Sequence, residues 1–226
     1  MKSDQLNATR RDFLGAMVLG AAASGISMLT NPLEAKVSAL NKKSLGDPEK
    51  WFDKIKGSHR VVFDGSTPHH NFPVIWNWAW YYSNNGAGIN DDDLTGMTVL
   101  RHDAIPFAMK DGAWEKYNLG KMFDIKDNST KAAALRNVVY EPKEGDMPMP
   151  VVEGIKKLQD RGAMFCVCDL ALNVYSGMAA QEMGMDATEV YEEWKAAVLP
   201  GIQIVPSGVW ALTMAQEHDC AYIFAG

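Results

Sequence analysis

Five short apolar segments, each divided from the next by a stretch that reads as helix, constrain this chain more than any other feature. They lie at 59–64 (HRVVFD), 94–101 (LTGMTVLR), 163–168 (AMFCVC), 202–205 and 221–224. Short apolar runs bounded by turn residues read as strands. Between them, an aromatic segment at 72–82 starts with Pro73, a broken helical stretch covers 104–119, and an amphipathic span at 151–160 stops before Gly162. Further helical spans follow at 170–183, at 187–198 with Asp186 as cap, and from Pro206 to Glu217. Strands alternating with helices need long crossovers, which make neighbouring strands parallel. The expectation is an α/β fold with a layered, mainly parallel sheet of about five strands.

The ends of the pattern define its boundaries. Residues 1–39 contain Thr9-Arg10-Arg11-Asp12-Phe13-Leu14, then a Gly/Ala-rich apolar stretch and small residues at Val37 and Ala39. That arrangement reads as a twin-arginine signal peptide, a receptor-read address rather than an anchor. Residues 40–56 read as a linker and a short helix capped by Asp47, with Pro48 in its first turn. The α/β domain then covers 57–226, with a polar insertion of loops and one short helix at about 124–149. The expected location is the periplasm or another exported site, reached through the export machinery, with no stable membrane anchor after cleavage. The chain carries a net charge of −6, and its signal holds four basic residues against three acidic ones. The mature protein is therefore acidic, which argues against nucleic acid as a partner.

In an open parallel sheet, ligands gather beyond the carboxyl ends of the strands. The first strand runs out through Asp64 to His69 and His70, and the second through Arg101 to His102 and Asp103. The third ends at Cys168, and Ser207 and Gly208 follow the fourth. Cys168 precedes a helix, whose positive N-terminal end favours a reactive thiolate. His70 or His102 is the expected base or hydrogen-bond partner of that thiol. Asp64, His69, Asp103, Ser207 and Gly208 complete the expected ligand-binding edge. Cys166 and Cys220 read as core thiols. No compact metal motif is present and no residue is assigned as a metal ligand. Imidazole and thiolate converging in space would make zinc or copper the alternative cofactor. The aromatic run at 72–82 reads as core and subunit contact.

These residues carry a resemblance. The segments at 162–172 (GAMFCVCDLAL), 199–209 (LPGIQIVPSGV) and 215–223 (AQEHDCAYI) resemble the DsrE/DsrF-like family. The resemblance implies a flavodoxin-like three-layer sandwich, a homo-oligomer (trimer or hexamer), and a cysteine that carries persulfide sulfur, here Cys168. Three departures stand out: the export signal, the insertion with the His69-His70 pair, and Asp219-Cys220 where the family has glycine. The functional expectation is an exported sulfur carrier or thiol-redox protein. A periplasmic metal- or small-ligand-binding module, or a non-catalytic oligomeric subunit, is the alternative.

Overall fold

The computed structural model describes residues 47–226. The signal expected over 1–39 and the adjoining linker up to residue 46 lie outside the described residues. Five strands form one sheet: β1 (His59–Gly65), β2 (Leu94–Leu100), β3 (Met164–Cys168), β4 (Ile202–Val205) and β5 (Ala221–Phe224). Every pairing is parallel, and the order across the sheet is β4-β3-β2-β1-β5. The helices are α1 (Pro48–Phe52), α2 (Phe72–Gly86), α3 (Asp111–Tyr117), α4 (Leu119–Met122), α5 (Ile155–Asp160), α6 (Asp169–Met183), α7 (Ala187–Ala196) and α8 (Gly208–Glu217).

The strand order decides which face each helix covers. From β1 to β4 the chain fills successive positions in one direction, so right-handed crossovers lay α2 to α7 on one face. The step from β4 to β5 runs back across the sheet, and the same handedness puts α8 on the opposite face. Two cores result. Val74 and Trp78 (α2), Trp114 (α3), Leu158 (α5), Leu172 (α6) and Trp194 (α7) pack with Leu94, Leu100, Phe165 and Val167. Trp51 and Phe52 (α1) and Ala211, Leu212 and Ala215 (α8) pack with Val62, Met97, Val99, Cys166 and Val205. Alternate strand residues thus feed opposite layers, as the pleat dictates. The central strand β2 is buried at all seven positions, and its two polar residues, Thr95 and Thr98, hydrogen-bond to Lys56 O and Asn77 Nδ2. The fold is a flavodoxin-like three-layer α/β sandwich.

Local caps behave as expected. The Asp47 side chain accepts from Lys50 N, and Asp186 accepts from Thr188 N and Glu189 N. The helix expected over 151–160 begins only at Ile155, because Ile155 N and Lys156 N donate to Val139 O and Tyr140 O instead of to a preceding turn. Those acceptors belong to the segment 124–149, which holds no helix, only turns and an isolated bridge between Lys126 and Ala133. Despite its polar composition the segment is built into the core, with Ile125, Ala134, Val138, Val139 and Met147 buried. Arg136 ties it together: its guanidinium pairs with Asp146 through two hydrogen bonds of 2.7 Å and with Asp127 at 2.8 Å.

Candidate functional site

The connection after β3 goes to α6 on one face and the connection after β4 goes to α8 on the other. Adjacent strands whose connections part in this way open a crevice at their carboxyl ends. Cys168 ends β3 at that point and is the N-cap of α6, its Sγ accepting a hydrogen bond from Ala171 N at 3.3 Å. The residue is 6% exposed. On the other side, Ser207 caps α8 by accepting from Trp210 N at 3.2 Å, and Leu170 N donates to Pro206 O, joining the two helix starts. Asp169 is buried behind Cys168 and accepts from Tyr191 OH at 2.6 Å, which fixes α6 against α7; burial pushes its carboxyl up.

The backbone neighbour of Cys168 on the adjacent strand is Arg101. Leu100 pairs with Val167, so the next register position sets Arg101 opposite Cys168. The pleat sets Arg101 on the α8 side of the sheet, to which Val99 and Cys166 contribute, whereas Cys168, turning into α6, packs in the opposite core with Ala171 and Leu172. Arg101 Nε donates to Asp64 Oδ1 at 2.6 Å and Nη2 to Asp64 Oδ2 at 3.0 Å, while Tyr222 OH donates to the same Oδ2 at 2.8 Å. Asp64 is 2% exposed. The Arg101 stem runs against Gly208, where an added Cβ would lie 2.5 Å from Arg101 Cβ, so a side chain at 208 would displace the arginine. The hydrogen bond to Asp64 is the main cause that raises the Arg101 pKa; desolvation opposes it, and the charges of Asp64, Tyr222 and Cys168 add to it in that order.

The remaining candidates form separate groups. His102 Nδ1 lies 3.1 Å from Asp103 Oδ1, which also accepts from Tyr175 OH at 2.5 Å. Burial and that bond to a carboxylate push the Tyr175 phenol up. His69, His70 and Asn71 follow one another at φ of 31°, 53° and 70°. Left-handed backbone costs a non-glycine residue on the order of 1–3 kcal/mol, so this segment needs outside support. Asn71 Nδ2 donates to Asp146 O, and Ser66 N and Thr67 N donate to Gly226 O beside His69. No hydrogen bond joins Cys168 to a histidine among the described residues. All three cysteines are free thiols. Burial pushes Cys166 up strongly and Cys220 up to about 11.

The structure therefore gathers Asp64 and Gly208 around Arg101, sets Cys168 and Ser207 as caps of the neighbouring helices α6 and α8, sets His102 and Asp103 with Tyr175, and leaves His69 and His70 in a third place. Arg101, Tyr222 and Tyr175 were not among the residues expected from sequence. A signal for Arg101 existed: an acid and a base ending adjacent strands on the same pleat face are placed to pair. Among the described residues no group of three or more His, Cys, Asp or Glu is arranged to hold a metal ion. No described helix is long and apolar enough to cross a membrane. Surface depressions of about 320 Å³ beside Lys116 and Tyr117 and about 380 Å³ beside Tyr140 and Glu153 are lined by other residues than these.

No family model matches the chain, and no curated protein matches it. A solved structure of a protein of unknown function from Methanobacterium thermoautotrophicum aligns at 17% identity over 74% of this chain and 99% of its own, with a TM-score of 0.39.

Proposed function

We propose that this chain is an exported DsrE-like protein that carries sulfane sulfur on Cys168. One observation carries the reading: the Cys168 sulfur sits at the switch point of the sheet, hydrogen-bonded to the first turn of α6. In the reaction the thiolate attacks the outer sulfur of a polysulfide. A new S–S bond forms on Cys168, the donor S–S bond breaks, and the shortened polysulfide leaves with the electron pair. His102, held by Asp103 and Tyr175, and His70 serve the incoming acceptor at the rim. The Arg10-Arg11 pair supports delivery across a membrane by the twin-arginine route. Intact-mass measurement after incubation with inorganic polysulfide tests the proposal. The expected gain is one sulfur atom per chain, removed by dithiothreitol and absent in Cys168→Ser. No gain on the wild type, or an equal gain on Cys168→Ser, refutes it.

The β5 edge supports self-association as part of the same reading. Tyr222, Ile223 and Phe224 are 46%, 41% and 61% exposed, on the outer strand of the sheet. Trp80 of α2 packs on Val61, Phe63 and Ala225, and Trp76, one turn earlier on the same flank, is itself exposed. Contiguous apolar surface of this kind marks a contact with another chain. Phe224→Lys is expected to convert an oligomer to a monomer in light scattering. An oligomer of unchanged mass in that variant would move the contact elsewhere, and a monomeric wild type would remove it.

A further inference from the structure

The two edges of the sheet differ. Every residue of β5 is exposed, whereas β4 at the opposite edge is buried or half-buried throughout. Natural edge strands are guarded by charges, proline or bulges. β5 carries neither charge nor proline, and no Asp, Glu, Lys or Arg stands at 66–90 or at 220–226. The first of these stretches holds α2, whose Trp80 packs on Ala225 just beyond β5. A chain of net charge −6 repels its own copies, and on this uncharged surface two of them meet with no like charges opposed. The backbone selects one pairing. Successive residues of a strand turn their N–H and C=O groups to opposite sides. Ala225 N donates to Asp64 O, so Ala221 and Ile223 also turn toward β1, and the groups of Tyr222 and Phe224 point outward. An edge strand that meets its own copy across a two-fold axis pairs antiparallel. With the axis at Ile223, Tyr222 lies opposite Phe224 of the second copy, and each such pair exchanges both hydrogen bonds, so no outward group is left over. An axis at 222 or 224 requires Cys220 N or Gly226 O instead. Both are taken: Cys220 N donates to Ala215 O, and Gly226 O accepts from Ser66 N and Thr67 N.

We infer that two copies of this chain pair antiparallel through β5 about a two-fold axis at Ile223, joining their sheets into one continuous sheet. The inference rests on the self-association reading and names its partner and register. Val62, the register partner of Tyr222, belongs to the α8 core, and Phe63, the partner of Ile223, packs on Trp80 of α2. On the α8 face the pairing therefore sets Tyr222 against Phe224 of the second copy on both sides of the axis, and cross-strand aromatic pairs stabilise a sheet. On the α2 face Ile223 meets its own counterpart in the close, non-hydrogen-bonded position. Helix α2 lies over β1 and β2, so it stands four strand spacings, about 19 Å, from α2 of the second copy. That is about twice the usual distance between packed helices. The Trp76 and Trp80 rings of both copies roof the two isoleucines in that space.

Disulfide trapping reads the register. Non-hydrogen-bonded antiparallel partners have Cα atoms about 4.5 Å apart, within the span that a disulfide bridges. Ile223→Cys is therefore expected to form a bond between its two copies at least about tenfold faster than Tyr222→Cys, whose sulfurs start two positions apart along the strands, beyond about 7 Å between Cα atoms. Peptide mapping distinguishes these bonds from any made by Cys166, Cys168 or Cys220. The wild type provides a second readout that needs no variant to fold. The Tyr222 and Phe224 amides are expected to exchange with deuterium about tenfold more slowly in the associated protein than after dilution to the monomer. The Ala225 amide, bonded to Asp64 O within the chain, is the internal reference. An oligomer in which Ile223→Cys links no faster than Tyr222→Cys, or in which those two amides stay open, overturns the pairing and leaves self-association standing. A monomeric wild type fails differently, removing self-association and the pairing together. Protected amides in such a monomer would assign the edge to another part of the same chain, which also overturns the inference.

Discussion

Asn137→Leu is expected to lower the unfolding free energy by about 4 kcal/mol, the largest effect of any polar substitution outside the Cys168 site. The side chain is 5% exposed, and every polar atom on it is engaged. Nδ2 donates to Phe107 O and Met109 O, both at 2.9 Å, and Oδ1 accepts from Val139 N at 3.0 Å and Tyr140 N at 2.9 Å. Leucine has a similar volume and leaves Phe107 O, Val139 N and Tyr140 N without partners, while Met109 O keeps the hydrogen bond from Trp114 Nε1. Each stranded group costs about 1–3 kcal/mol, and burial of the new methyl groups recovers only about 1–2 kcal/mol. Asn137→Asp separates the two halves of the effect. It keeps the two accepted bonds but turns a charged oxygen toward two carbonyl oxygens, so it is expected to be at least as damaging at neutral pH. Its stability is expected to recover partly in acid, where the protonated carboxyl donates one bond. Urea midpoints at pH 7 and near pH 4 measure both. An Asn137→Leu midpoint equal to the wild type would mean that the segment 124–149 is not anchored through this residue.

The same residue explains where sequence reasoning stops. The strands were legible because a parallel strand covered on both faces is mostly apolar, and 163–168 says so by composition alone. Asp47 and Asp186 were legible as caps because a cap is a contact over two or three residues. Asn137, Asp127 and Asp146 look like loop residues for the opposite reason. Their partners include Phe107, Met109 and Arg136, and nothing local distinguishes a polar side chain facing water from one that satisfies buried backbone. The site divides along the same line. Cys168 at a strand end before a helix is a local pattern, and so is its bond to Ala171 N. Arg101, by contrast, depends on strand order: only with β1 beside β2 does Asp64 at the end of β1 acquire it as a partner. The histidines stand out by residue type, whereas strand order brings an arginine to the buried Asp64.

The second large effect is expected at Asp64. Asp64→Ala removes the acceptor of two Arg101 bonds and of the Tyr222 hydroxyl in one step. Breaking a buried pair by deleting one partner costs about 3–5 kcal/mol when the survivor stays buried. Here the surviving Arg101 side chain is 27% exposed and Tyr222 reaches solvent, so about 3 kcal/mol is expected. Arg101→Ala is expected to cost more, because the charge left behind sits on Asp64, whose side chain is 4% exposed. Tyr222→Phe, which deletes one bond to a charged acceptor, is expected to cost about 1.5 kcal/mol. The double variant Asp64→Ala with Arg101→Ala should be less destabilised than the two single losses added together, since neither charge is then stranded. Function provides the sharper reading. If Asp64 acts only as a structural clamp on the sheet edge, the folded fraction of Asp64→Ala will take up sulfur at the wild-type rate. If it holds the guanidinium at the level of the thiol, uptake per folded molecule will fall about tenfold, the effect of roughly 1.4 kcal/mol of lost transition-state stabilisation. Asp64→Asn should fall between, because the amide oxygen still accepts while the charge that orients the guanidinium is gone. Equal rates for all three proteins, corrected for folded fraction by circular dichroism, would separate the ion pair from the chemistry.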